Sequence, residues 1–143
     1  MGNDKINTKL FVILDSNALL QIYRGVSIFD QIEETLDISP VYICPDAVLN
    51  ELKKISEKEG EISRAAKLAI EYANSACVPY ITGEKSGDRA ILKASIELSS
   101  EGKTVIVSTS DRKLRSKLRS MGIKTAYYRE TQHRFEVEAR DVL

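Results

Sequence analysis

Short apolar runs alternate along this chain with stretches whose apolar residues recur at helical spacing. The first run, Leu10 to Leu14, is unbroken and rich in strand formers, which is typical of a strand buried on both faces. Asp15, Ser16 and Asn17 follow it directly, and because all three are N-cap types they predict a helix through Leu20. Repeated strand–helix alternation predicts an α/β fold, a three-layer α/β/α sandwich around a central, mainly parallel sheet.

The same reasoning places the remaining elements. Further strands are predicted at 41–44, 78–81, 104–108 and 123–128, and an edge strand at 135–139. Helices are predicted to begin at Ser27, Pro45–Asp46, Ser63, Asp88 and Asp111. Because no repeat, linker or low-complexity tract interrupts this order, we expect residues 1–143 to form a single domain.

Composition narrows the class of protein. With 143 residues, 43% of them hydrophobic and 29% charged, the chain is not intrinsically disordered. No apolar run is long enough to span a membrane, and the first ten residues carry no secretory signal. Cys44 and Cys77 each lie in a short apolar run, as buried free thiols do in a reducing compartment. We therefore expect a cytoplasmic protein with no membrane partner.

Charge is balanced overall, 21 basic against 21 acidic residues, but unevenly distributed. Residues 30–61 hold nine acids and three bases, whereas residues 112–134 hold eight bases and one acid. Such asymmetry indicates a polyanionic partner. The basic residues beside or beyond Asp111 could bind the phosphates of a nucleic-acid strand. The alternative is that they form a solvent-exposed helix face whose charges are paired in salt bridges. They are Arg112, Lys113, Arg115, Lys117 and Arg119. Arg115 and Arg119 are four residues apart, so we expect them to share one exposed face.

Four acids fall at or beyond the ends of predicted strands. Asp15 follows the first strand, Asp88 the third and Asp111 the fourth, while Glu51 lies on the helix after the second. Ligands of parallel sheets bind beyond the carboxyl ends of the strands, so these acids could converge on one pocket. Clustered carboxylates repel one another unless a cation joins them, and oxygen-only ligands suit Mg²⁺ or Mn²⁺. Each acid has a plainer alternative, as a helix N-cap or a first-turn acid.

Four segments that carry these acids resemble the acidic motifs of the PIN-domain nucleases. They are FVILDSNALL, PDAVLNELKK, SGDRAILKASIELS and VIVSTSDRKLRSKL, and the resemblance runs from about Leu10 to Tyr128. It implies a Mg²⁺- or Mn²⁺-dependent nuclease acting on RNA. The rRNA-processing members and small single-domain PIN proteins look most similar, with the VapC-type toxins next.

The resemblance also implies a role for individual residues. Asp15, Glu51, Asp88 and Asp111 match the catalytic, metal-binding acids, and Asn17 and Thr109 match the polar residues that orient them. Many members carry a second acid beside the third, where this chain has Gly87 and Arg89, so the number of ions stays open. The implied partner is single-stranded RNA or an rRNA precursor. A second copy of the chain, an antitoxin or a ribosome-assembly factor stays open as a further partner.

Two other functions remain as alternatives. A PIN-like module could bind RNA or protein without turnover, although a pure binder has no reason to gather four acids. A phosphoryl-transfer domain could use a similar sheet, but a haloacid-dehalogenase motif needs an Asp where this chain has Asn17. His133 is the only histidine, which excludes Ser–His and Cys–His chemistry within one chain and fits a surface turn.

Overall fold

The sheet has six strands in the order β3-β2-β1-β4-β5-β6, all parallel except β6, which runs antiparallel to β5. The computed structural model describes residues 9–138; residues 1–8 and 139–143, including most of the segment judged to lack a secretory signal, lie outside it. The strands are β1 Leu10–Leu14, β2 Val41–Pro45, β3 Cys77–Tyr80, β4 Thr104–Ser108, β5 Lys124–Arg129 and β6 Arg134–Glu138. The mainly parallel sheet is confirmed.

Six α-helices connect these strands. They are α1 Ser16–Leu20, α2 Ile28–Leu36, α3 Asp46–Ser56, α4 Glu61–Ala76, α5 Gly87–Ser100 and α6 Arg112–Ser120. Two short 3₁₀ helices, Gln21–Arg24 and Glu130–Gln132, extend α1 and join β5 to β6. Among the described residues no helix is both long and apolar enough to cross a membrane.

Helices cover both faces of the sheet, which confirms the three-layer architecture. On one face, Ile32 and Leu36 of α2 line a small interior gap together with Ile106 and Phe135 of the sheet. On the other face, α6 packs against β5, where the guanidinium carbon of Arg115 lies 3.9 Å from the ring centre of Tyr127. Strand β1 is central, and its Val12, Ile13 and Leu14 are buried as the unbroken apolar run predicts.

Several boundaries differ from the predicted ones. The third strand spans Cys77–Tyr80, so Ile81 is outside it and 82% exposed. Helix α4 begins at Glu61, two residues before the predicted start, because Gly60 turns the chain at a φ of 89°. Ser86, not Asp88, is the N-cap of α5 and accepts a hydrogen bond from the Arg89 amide. The predicted edge strand begins at Arg134, and residue 139 lies outside the described part of the chain.

The loop between β3 and α5 is held by Asp46, at the start of α3. One carboxylate oxygen accepts hydrogen bonds from the amides of Thr82 and Gly83, at 3.0 and 2.9 Å. The other accepts from the Thr82 hydroxyl and the Ala47 amide, at 2.7 and 2.9 Å. The Lys93 ammonium on α5 donates to the Thr82 carbonyl at 2.8 Å. Asp46 therefore fixes the chain that leads into α5.

We expect Asp46→Asn to destabilise the fold by about 1–3 kcal/mol, since an amide group replaces an oxygen that accepts two backbone amides. Burial raises the pKa of Asp46, but its hydrogen bonds from Thr82, Gly83 and Ala47 outweigh burial and lower it. A lowered folded-state pKa gives stability above the ordinary carboxyl range, lost as the pH falls through the folded pKa.

Urea unfolding measures this prediction. The gap between wild type and Asp46→Asn should be wide at pH 7 and should begin to close only as the pH falls below about 4. Asp30→Asn, which removes one exposed carboxylate from the first turn of α2, is the matched control. If the two variants lost the same free energy of unfolding, Asp46 would not hold the loop between β3 and α5 as described.

Candidate active site

Asp15 lies where the strand order reverses. Strands β2 and β3 follow β1 on one side, and β4 lies on its other side, so the carboxyl ends of β1 and β4 flank the switch point. This is where open α/β sheets bind ligands. The Asp15 amide donates to the Ser108 carbonyl at 3.0 Å, which extends the β1–β4 ladder by one bond. The backbone of Asp15 is therefore as fixed as the central strands.

Polar neighbours hold the Asp15 carboxylate, which is only 5% exposed. One oxygen accepts from the Ser16 amide at 2.7 Å, and the other accepts from the Thr109 hydroxyl at 2.6 Å and the Asn17 amide group at 3.2 Å. Asn17 also accepts a hydrogen bond from the Ser110 amide at 3.2 Å. Asn17 and Thr109 thus orient the first acid from two different strand ends.

Asp111 is joined to the same network through Thr109. Its amide donates to the Thr109 hydroxyl oxygen at 3.1 Å, and its own carboxylate accepts from the Leu114 amide at 3.1 Å. Asp111 is therefore an N-cap of α6, as the plainer alternative has it. Because capping uses only one carboxylate oxygen, Asp111 can cap α6 and also act together with the other acids.

Glu51 reaches the site from the second turn of α3. The Ser16 side chain and the Gly87 backbone lie near its carboxylate and lower its pKa. The approach to α5 is close, because a Cβ at position 87 would lie 2.9 Å from one Glu51 oxygen and 3.1 Å from the other. Gly87 thus lets the first turn of α5 meet Glu51, and the next residue in that turn is the exposed Asp88.

The charges of neighbouring acids act on Asp15 and on Glu51. Burial raises the pKa of Asp15, hydrogen bonds from Thr109 and Ser16 lower it, and the charges of Asp88 and Asp111 raise it further. Burial likewise raises the pKa of Glu51, which Ser16 and Gly87 lower and Asp15 and Asp88 raise. In both acids the net direction is upward. Asp15 is thus the centre of a repelling carboxylate cluster, defined here as Asp15, Glu51, Asp88 and Asp111.

The carboxylate cluster offers oxygen donors, the kind that Mg²⁺ and Mn²⁺ prefer. Within residues 9–138, however, no three His, Cys, Asp or Glu side chains lie close enough together to hold one ion. Asp15 is instead engaged by hydroxyl and amide donors of the protein. The donor chemistry fits a hard divalent cation, and a shared ion would require these side chains to turn toward one another.

The basic residues after Asp111 divide into two groups. The first group is exposed and consists of Arg112, Lys113, Lys117 and Arg119. Arg115 is only 8% exposed, stacks on Tyr127 and forms an ion pair with Glu138 at 3.1 Å. The expectation that Arg115 shares an exposed face with Arg119 is therefore wrong, because the acid partner comes from β6 and not from the same helix. An open groove of about 540 Å³ runs between Arg112, Arg119 and Glu138.

Sequence reasoning missed three residues that position the cluster: Ser16, Asp46 and Gly87. Asp46 follows a proline at a helix start, which indicates only a first-turn acid, and its partners lie 36 and 37 residues away. The available signal was a glycine directly before Asp88, since glycine is used where a backbone must approach another group closely. His133 lies in the turn before β6, exposed and left-handed at a φ of 50°.

Comparisons with known proteins identify the family and the fold of this chain. The family described as PIN like domain matches residues 12–131. The structure of the PIN domain endonuclease Utp24 superposes with a TM-score of 0.72 at 20% sequence identity, over 90% of this chain and 91% of that one. No curated protein matches the chain. At that identity the structural likeness concerns the fold, whereas the family match spans most of the chain. The protein belongs to the family of PIN-like domains.

Proposed function

We propose that this protein is a divalent-metal-dependent endoribonuclease whose active site is the carboxylate cluster. The observation that carries the proposal is that β1, α3, α5 and α6 each bring one acid to the switch point of the sheet, where the charges of Asp88 and Asp111 act on Asp15. Keeping like charges together costs stability, and a bound cation offsets that cost. Membership of the PIN-like family and the fold of an endonuclease neighbour support the same reading.

Asp15, Glu51, Asp88 and Asp111 would hold Mg²⁺ or Mn²⁺. When bound, such an ion neutralises a scissile phosphate and lowers the pKa of water at the site. Asp15 is the acid best fixed for this role, because its backbone extends the β1–β4 ladder and Thr109 and Asn17 set its orientation. Asp88 lies in the first turn of α5 and Asp111 is the N-cap of α6, and the charges of both raise the pKa of Asp15.

RNA binding rests on the exposed bases next to Asp111. Arg112 and Lys113 follow that acid directly, and Arg112 and Arg119 border the groove on α6. A strand whose phosphates follow these residues reaches the carboxylate cluster at Asp111. Phosphate contacts position a strand without reading its sequence, so this surface would bind single strands of any sequence. An rRNA-processing role and a toxin role both remain compatible with it.

A PIN-like module that binds RNA without turnover is the second candidate. It is favoured by the absence, within residues 9–138, of three acids already gathered around one point. Partners such as an antitoxin, a ribosome-assembly factor or a second copy of the chain are equally compatible with either function. Cleavage measurements separate the two candidates.

We expect Asp15→Asn and Asp111→Asn each to lower Mn²⁺-dependent cleavage of single-stranded RNA by more than about 100-fold, since even outer partners of metal ligands cost 10–100-fold. Both amides retain an oxygen that accepts a hydrogen bond, so the fold should persist. Asp37→Asn, at an exposed left-handed position where Asn is well tolerated, is the control. Wild-type cleavage rates in the two site variants would place the active site elsewhere.

We expect Gly87→Ala to lower cleavage at least about tenfold while leaving thermal stability level or raised. The new methyl group displaces the flexible end of Glu51, but alanine is favoured over glycine in a helix by about 1 kcal/mol. Melting curves and initial cleavage rates measure the two effects separately. Full activity in Gly87→Ala would mean that cleavage does not depend on the position that Glu51 occupies in this structure.

We expect the double change of Arg112 and Lys113 to Ala to flatten the salt dependence of RNA binding. Each lost phosphate contact on a single strand removes about 0.7 from the slope of log K against log salt concentration. Filter binding of a labelled single strand in Ca²⁺, which limits cleavage, measures it. The exposed pair Lys53 and Lys54 on α3, changed in the same way, is the comparison. A slope reduced only in that second variant would move the RNA path to α3.

A further inference from the structure

A second cleft opens beside the carboxylate cluster, at the carboxyl ends of β4 and β5. Its volume is about 380 Å³, within the range of sites that enclose small molecules. Its lining includes Asn17, Gln21, Ser108, Tyr128, Thr131 and Phe135. Asn17 also donates a hydrogen bond to the Asp15 carboxylate and is therefore a direct neighbour of both the cleft and the carboxylate cluster. A ligand in the cleft would lie next to the proposed cleavage site.

The Ser108 hydroxyl is an unsatisfied polar group in the lining of this cleft. Ser108 is fully buried at the end of β4, and its Oγ has no hydrogen-bond partner among the described residues. Buried polar atoms are nearly always paired, because an unpaired one costs about 1–3 kcal/mol. Ser108 also lines the small interior gap beneath α2 and is 0% exposed. A ligand with a polar edge would therefore reach this hydroxyl at the inner end of the cleft once the side chains that cover it move aside.

The rest of the lining favours a flat, uncharged occupant. Ala18 and Phe135 are buried apolar residues, and Tyr128 contacts Phe135 edge to face with ring centres 5.6 Å apart. Arg129 is paired with Glu136 at 2.9 Å, and Glu130 is paired with Arg24 at 2.8 Å. Each charged residue of the lining thus has a partner of opposite sign, so the lining offers a phosphate group no unpaired cation.

We propose that this cleft is a base-selecting subsite that takes the nucleobase of the nucleotide adjoining the scissile phosphate. Unstacked bases of single-stranded RNA are recognised by aromatic contact with their faces and by hydrogen bonds to their edges. Tyr128 and Phe135 supply the apolar contact, and Ser108 and Gln21 supply the polar groups. The proposal rests on the proposed function, because the carboxylate cluster next to Asn17 is what makes the base a neighbour of the cleavage site.

The first arm of the test is cleavage of random-sequence RNA in Mn²⁺, with the product ends sequenced. Wild type should show unequal base frequencies at one position flanking the cut. Ser108→Ala and Tyr128→Leu should flatten that preference, with Tyr128→Leu reducing it about tenfold, the scale of one lost base–aromatic contact. Ser99→Ala and Tyr72→Leu, exposed residues on α5 and α4, should leave it unchanged. No preference in wild type, or an unchanged one in both cleft variants, would overturn the subsite.

The second arm works without catalysis. The four nucleosides and inorganic phosphate are titrated in EDTA while the amide resonances of the protein are followed by NMR. At least one nucleoside should shift the resonances of Ser108 and Tyr128, more weakly in Ser108→Ala, whereas phosphate should not shift them. If RNA is not cut but a nucleoside binds there, the proposed function fails and the base pocket stands. If RNA is cut but no nucleoside shifts these resonances and the variants keep the wild-type preference, the subsite alone fails.

Discussion

The hydrogen bond from the Thr109 hydroxyl to the Asp15 carboxylate joins the two central strands where the rest of the site is assembled. Asp15 continues β1 and Thr109 continues β4, each through one further backbone bond, to Ser108 and to Ala126 respectively. Thr109 also accepts a hydrogen bond from the Asp111 amide. One hydroxyl therefore sets the distance between the two acids at the switch point, and the remaining acids are brought to Asp15 by helices.

Those helices are positioned by contacts that are distant in sequence. Asp46 fixes the loop that leads into α5, and Gly87 lets the first turn of that helix meet Glu51. Burial and mutual repulsion raise the pKa of Asp15 and Glu51, so the fold maintains an arrangement that opposes its own stability. Such a conflict between local energy and global fold is expected at functional sites. On the proposed function, the bound cation is what relieves it.

Much of this could be predicted from sequence, because buried parallel strands and capped helices leave local signals. The run Leu10–Leu14 identified β1, and its following polar residues identified the start of α1. Long-range pairings leave no such signal. Helical spacing predicts an exposed face for Arg115, because it cannot reveal Glu138, its partner on β6. The close approach of Gly87 to Glu51 and the hydrogen bonds at Asp46 both join α3 to α5 or to the loop before it. The sequence pattern did not specify that these elements lie side by side.

Thermal unfolding of wild type and Asp15→Asn, in EDTA and in millimolar Mn²⁺ at pH 8, tests the central claim most directly. A carboxyl whose pKa is raised by folding destabilises the fold once the pH exceeds its unfolded-state pKa, so in EDTA the variant should melt at the same temperature as wild type or higher. Mn²⁺ should raise the melting temperature of wild type by binding the folded state, and should raise that of the variant much less. A wild-type curve unmoved by Mn²⁺, or an equal gain in both proteins, would contradict a cation site built on Asp15.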